Sequence, residues 1–176
     1  GTNPGFLYQQ NTMRDAIVAG LTLNIFNKHS DRIKMANIAQ TINVLQAVAL
    51  TDGEDMLLTP TYHIFKMYKD HQENTLLGSY ITTPNLADKG TLPKLIESAS
   101  IKEDGTIIAT IVNTSVDEDA EIHCQIADFA LKELSAEILT GDIHDYNSFE
   151  NKNVAYTKVF SDYEVLADGF KTTIPP

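Results

Sequence analysis

Apolar residues first recur at helical spacing across residues 12–29, where Ile17, Leu21 and Ile25 fall four apart and Val18 and Phe26 lie beside them. A stripe that wide suits a helix covering a sheet. Thr12 and Asp15 open it as a capping-box-like pair, and Lys28 and His29 stand in the last turn, where cations suit the negative helix end. Residues 31–46, DRIKMANIAQTINVLQ, follow with Ile, Met and Val among small residues and no Pro or Gly before Gly53. This predicts a buried strand, with its core at 33–38, that emerges into a loop carrying polar amides. Residues 41–50 continue as a short helix or an extended wall, and 51–55 form a polar turn. Thr59 and Pro60 open a second helix over 60–71, as N-cap and first helical residue. Helix, buried strand, helix is the order of a parallel α/β layer.

From residue 76 the period changes to two. Candidate strands run over 76–81, 95–101, 106–113, 120–126, 133–139 and 154–160, with a last stub at 170–174. Turns such as Glu103-Asp104-Gly105 and Thr140-Gly141-Asp142 separate them. Several short strands at this spacing predict an antiparallel, jelly-roll-like sandwich. The expected fold class is therefore α/β plus all-β, with a boundary near residue 75 marked by a shift in composition.

The bulk properties narrow the function. With 176 residues, 43% of them hydrophobic and 8% aromatic, the chain is globular. A net charge of −11 repels nucleic acid and anionic lipid, so neither is expected as a partner. No stretch has the length and apolarity of a membrane helix. The lone Cys124 has no internal disulfide partner. The turn-rich start and the end in TTIPP read as cut ends of a longer protein, with the last strand truncated. The compartment is left open.

Three segments carry a family resemblance: MRDAIVAGLTLNIFNKHSDRIKMANIAQTINVLQ, LTPTYHIFKMYKDHQ and LTGDIHDYNSFEN. They resemble the α-L-arabinofuranosidases of glycoside hydrolase family 51, strongly over the first 75 residues and more loosely beyond. The likeness implies the last helix–strand–helix part of a (β/α)8 catalytic barrel at 1–75 and a β-sandwich at 76–176. Within it, 12–29 would be the seventh helix, 31–39 the eighth strand and 60–71 the eighth helix. It also implies a retaining hydrolase that releases terminal arabinofuranosyl residues from arabinan or arabinoxylan. Such an enzyme needs two carboxyl groups about 5 Å apart. Both glutamates are expected upstream of Gly1, so no catalytic residue is assigned here and the chain alone is expected to be inactive. The substrate contact carried over is Gln40, the glutamine of NIAQ. Active sites of these barrels lie at the C-terminal ends of the strands, and an amide there both donates to and accepts from sugar hydroxyls. The implied partners are an arabinose-containing oligo- or polysaccharide and further copies of the protein. No cofactor or metal is expected.

Other candidates read more simply as structure. Asn37, Asn43 and Gln46 lie near Gln40 and would widen a polar pocket, although such amides more often cap loops. None of His29, His63, His71, His123 and His144 pairs at ligand spacing on one helix. Asp142, His144 and Asp145 suggest a cluster, but in a turn they serve Asx-type backbone bonds. The run Asp117-Glu118-Asp119 reads as a solvated tip, and Glu54 and Asp55 lack the burial that parts two carboxyl pKa values. Cys124 reads as a packed small hydrophobe. Two rival readings are a carbohydrate-binding module, weakened by the absence of Trp, and a purely structural or oligomerisation domain.

Overall fold

The computed structural model describes residues 10–86 and 92–176. Its first half holds helix α1 (Met13–Lys28), an antiparallel hairpin of β1 (Ala49–Asp52) and β2 (Asp55–Leu58), and helix α2 (Pro60–Tyr68). A single 3-10 turn, Lys69–His71, ends α2. The second half holds β3 (Thr75–Leu77), β4 (Leu95–Ile101), β5 (Ile107–Asn113), β6 (Ala120–Gln125), β7 (Ala136–Ile138), β8 (Lys158–Phe160), β9 (Tyr163–Leu166) and β10 (Gly169–Ile174). These pair antiparallel as β3-β4-β5, β6-β10-β9 and β7-β8. Among the described residues the fold is mostly sheet with two helices.

Both helices start as their sequences require. The Asp15 carboxylate accepts the Thr12 backbone N–H at 2.8 Å, and the Thr59 hydroxyl accepts the Tyr62 N–H at 3.4 Å with Pro60 behind it. One core packs Met13, Ala16 and Leu23 of α1 against Ile64 and Tyr68 of α2 and against Ala155. A second joins Leu95, Ala120 and Ile122, with Cys124 and Phe170 packed beside it, so the cysteine is core filler. Burial raises its thiol pKa above the ordinary range.

The expected strand at 31–39 does not form. Among the described residues, Lys34 to Ala39 donate no backbone hydrogen bond to another backbone carbonyl, and Met35 is 74% exposed. A buried parallel strand needs a neighbour along its length, and no described segment runs beside this one. An isolated bridge, Ile42 to Ala49, is the parallel pairing present among the described residues. Residues 41–50 become a loop leading into β1, and the 51–55 turn closes a two-residue hairpin in which Gly53 takes φ 59°.

Helices and sheets meet through a polar seam. Asn24, fully buried on α1, donates to the Ile96 carbonyl at 3.0 Å and accepts from the Ser98 and Thr110 hydroxyls at 2.7 Å each. Asn27 donates to the Ser98 oxygen at 3.0 Å, and the Lys28 ammonium pairs with Glu97. His71 places Nδ1 2.8 Å from the Ser100 hydroxyl and Nε2 3.1 Å from that of Thr110. Burial lowers the His71 pKa against the opposing pull of Asp70. Gly20 lets α1 come close: a Cβ there would stand 3.0 Å from Val112, and Tyr68 donates its hydroxyl to the Gly20 carbonyl at 2.9 Å.

Candidate functional site

The amide-rich segment after Ile38 folds as a tied loop. The Gln40 N–H donates to Val44 O at 3.2 Å, Gln46 N–H to Ala39 O at 3.0 Å, and Val48 N–H to Thr41 O at 3.1 Å. Such short local bonds supply what a β ladder would otherwise give. The Ala39–Gln40 peptide is cis, and Asn43 and Leu45 take φ of 64° and 55°.

The four amides divide by what holds them. Asn43 donates its Nδ2 to the Thr51 hydroxyl at 2.9 Å and accepts the Thr51 N–H at 2.7 Å, so it staples the loop to β1. Gln46 donates its Nε2 to Asp15 Oδ1 at 3.0 Å. Gln40 and Asn37 are exposed, and among the described residues neither side chain makes a hydrogen bond. Of the amides near the loop, Gln40 and Asn37 are therefore the two left available to a ligand.

The loop stands on buried supports. Ala47, fully buried, gives its carbonyl to the Asn11 amide and the Thr59 hydroxyl, each at 2.8 Å. Asp15, whose side chain is 9% exposed, takes the Thr12 N–H on one oxygen and the Gln46 amide on the other. Asn11 and Thr59 were not singled out from the sequence as supports, because their partner is a backbone carbonyl far along the chain. Asp15 was visible as a helix-opening residue, but its second bond carries no local signal. Beside the loop a groove of about 240 Å³ runs between α1 and residues 36–38, lined by Asp15, Val18, Phe26, Asn37, Gln46 and Phe65 among others.

The segment GDIHDYN is structural. Asp142 accepts the His144 N–H at 2.8 Å in an Asx-type turn bond, and the Asp145 carboxylate reaches back to accept the Asp142 N–H at 3.0 Å. The Asp145 and Ile143 carbonyls accept the N–H groups of Met13 and Arg14 at 2.9 and 3.1 Å, capping α1 from outside. Asn147, 6% exposed, donates to Leu58 O and Ala155 O at 2.8 Å and accepts from Val154 and Ala155 N–H.

Several of the remaining candidates have structural partners. Lys152 pairs with Asp55 and holds its carboxyl below the usual range. Glu118 pairs with Lys94 at 2.8 Å, and Asp117 accepts from the Ser115 hydroxyl at 3.1 Å. Burial, with Lys66 adding to it, lowers the His63 pKa, and His63 leaves a buried Nδ1 without a partner among the described residues. Among the described residues no three His, Cys, Asp or Glu side chains gather into a metal-sized cluster, and no helix is long and apolar enough to cross a membrane.

Comparison with known proteins places this architecture. Over residues 1–176 the chain matches the family model described as the alpha-L-arabinofuranosidase C-terminal domain. It is 44% identical over 178 residues to an intracellular exo-alpha-L-arabinofuranosidase of Bacteroides ovatus, covering 99% of this chain and 35% of that protein. It superposes with TM-score 0.93 and 39% identity on the GH51 arabinofuranosidase of Xanthomonas axonopodis pv. citri, covering 99% of this chain and 36% of that one. The α-L-arabinofuranosidase of Thermotoga maritima, in an arabinose complex, shares the fold with TM-score 0.87 at 24% identity, over 100% of this chain and 39% of its own. The chain thus spans about a third of the length of these relatives. The chain belongs to the alpha-L-arabinofuranosidase C-terminal domain family.

Proposed function

We propose that this chain is the C-terminal part of a retaining α-L-arabinofuranosidase that releases terminal arabinofuranosyl residues from arabinan or arabinoxylan. In this reading residues 1–75 close a (β/α)8 barrel, 76–176 form a jelly-roll-like sandwich that braces it, and both catalytic glutamates lie upstream. The neighbouring barrel strands would supply acceptors for the backbone N–H groups of residues 34–39, which donate to no backbone carbonyl among the described residues. The family assignment and the 35% share of the Bacteroides ovatus relative support this division of labour. The whole enzyme would assemble as a homo-oligomer, which light scattering measures directly.

The observation that carries the reading to a residue is the state of Gln40. Its amide is exposed at the end of the segment expected as the eighth strand, while Asn43 and Gln46 beside it are spent on structure. An amide without a hydrogen-bond partner among the described residues, on a bonded loop, is suited to a sugar hydroxyl, which it can meet as donor and acceptor. In an arabinofuranosidase containing this chain, Gln40→Ala is expected to lower kcat/KM for an aryl α-L-arabinofuranoside by about 10- to 100-fold, the value of one or two hydrogen bonds to substrate. An unchanged kcat/KM removes Gln40 from the site. The chain on its own is expected to leave the same substrate intact.

A further inference from the structure

Among the described residues, the Gln40 loop is joined to α1 by one side-chain bond, between Gln46 and Asp15. We propose that Gln46 is a positioning residue for Gln40, with Asp15 at the first turn of α1 as the anchor that holds it. The inference rests on the reading of Gln40 as a sugar contact and deepens it.

The geometry runs in three steps. Gln46 Nε2 donates to Asp15 Oδ1 at 3.0 Å, which fixes the Gln46 side chain against the helix. The backbone N–H of the same residue donates to Ala39 O at 3.0 Å, the carbonyl of the peptide that leads into Gln40. The Gln40 N–H in turn bonds Val44 O at 3.2 Å, closing the loop on itself. Gln46 is therefore the residue through which the helix acts on the peptide carrying Gln40. Asp15 is a firm anchor, because its other oxygen is held by the Thr12 N–H at 2.8 Å and its side chain is 9% exposed. A bond to an ionised acceptor in so sheltered a place is stronger than one between neutral groups. A displacement of about 1 Å at a substrate contact is enough to cost up to about 100-fold in rate, so a tie of this kind is felt in turnover.

The pair can be reversed without losing the helix cap. Gln46→Glu sets a carboxylate against the Asp15 carboxylate and drives the two apart. Adding Asp15→Asn restores a donor and an acceptor in opposite places: the introduced amide donates its N–H to the new glutamate, and its carbonyl still accepts the Thr12 N–H. The experiment measures kcat and KM for an aryl α-L-arabinofuranoside in the full enzyme, with Gln46→Glu, the double variant, Gln40→Ala, and Gln46→Glu combined with Gln40→Ala, alongside thermal unfolding of each. The expected result is a loss of about tenfold in kcat/KM for Gln46→Glu, with the double variant recovering most of it. On the Gln40→Ala background the same substitution should cost less than about twofold, since the group it positions is gone. If Gln40→Ala is impaired but the double variant recovers nothing, or the Gln46→Glu loss is undiminished on the Gln40→Ala background, the positioning role is overturned while Gln40 keeps its own. If Gln40→Ala retains full activity, the sugar-contact reading falls and this proposal with it.

Discussion

Asn24 offers the sharpest test of how the helical and sheet parts are joined. It is fully buried and makes three hydrogen bonds across the seam, donating to Ile96 O and accepting from the Ser98 and Thr110 hydroxyls. Asn24→Ala removes all three. At about 1 kcal/mol net per bond the direct loss is about 3 kcal/mol. The Ser98 hydroxyl, itself fully buried, would then need a new acceptor. Thr110 stands 3.1 Å away and can accept from it, while the Thr110 hydroxyl, which loses the same acceptor, can turn to His71 Nε2 at 3.1 Å, and this holds the extra desolvation penalty down. The expected cost is thus about 3 kcal/mol, or a fall of about 6–12 °C in Tm for a protein of this size. Asn27→Ala is the matched control: the same truncation one turn along, losing one bond from a half-buried site, with a cost of about 1 kcal/mol. Urea and thermal unfolding followed by circular dichroism measure both. Equal costs for the two variants, or a cost below about 1 kcal/mol for Asn24→Ala, would refute the idea that the seam is held by this buried amide.

Two further outcomes follow from the same structure. Gly169 lies against β6 so closely that a Cβ would fall 2.0 Å from Cys124 O, so Gly169→Ala should push β10 off β6 and cost about 2 kcal/mol or more, whereas Gly78→Ala, with open space around it, should be near neutral; a thermal melt compares them. The pKa values of His71 and His63 are both lowered by burial. Below the ordinary histidine pKa the unfolded chain therefore binds more protons than the folded one. Their contribution is complete above the unfolded value and is lost as pH falls through the folded values. Unfolding free energy should drop between about pH 7 and pH 5, and His71→Gln should flatten that slope relative to the parent; an unaltered slope would show that His71 does not titrate differently on folding.

The sequence was most legible where one signal had one meaning. β4 runs over Leu95–Ile101 as expected, because its apolar run sits between Pro93 and the Glu103-Asp104-Gly105 turn. Both helices open where a cap and a first-turn residue were readable in Thr12, Asp15, Thr59 and Pro60. Residues 41–50 were ambiguous, since VLQAVAL suits a helix or a strand by periodicity, and they resolve into loop and β1 through bonds that include distant ones to Asn11 and Thr59. β9, Tyr163–Leu166, escaped because none of its four residues is fully buried and acidic residues, Asp162 and Asp168, stand close on either side, so no buried alternation marks it. Residues 31–39 carry the apolar pattern of a strand, yet a strand is made by its neighbours as much as by its own residues. At the candidate site Gln40 was accessible through its motif. Its scaffold was not, because Asp15–Gln46 and Asn11–Ala47 are contacts across 31 and 36 residues that no local pattern encodes.

The support of the Gln40 loop can be traced back into the sheet part of the molecule. The loop rests on α1 through Asp15, and the first N–H groups of α1 are capped by the Ile143 and Asp145 carbonyls of the GDIHDYN turn. That turn is fixed in place by Asn147, which bonds Leu58 O at the end of β2 and the backbone at Ala155, the residue buried against Met13 and Ile64. Further along, α1 is clamped to β4 and β5 through Asn24 and Lys28. A helix bonded at its start by a turn and along its length by two strands has little freedom to slide or tilt. Because these ties are directional hydrogen bonds, those of Asn24 and Asn147 made by buried amides, they specify one registration where a greasy interface would tolerate several. The sheet part thereby acts on the loop at a distance, by denying the helix beneath it any second position.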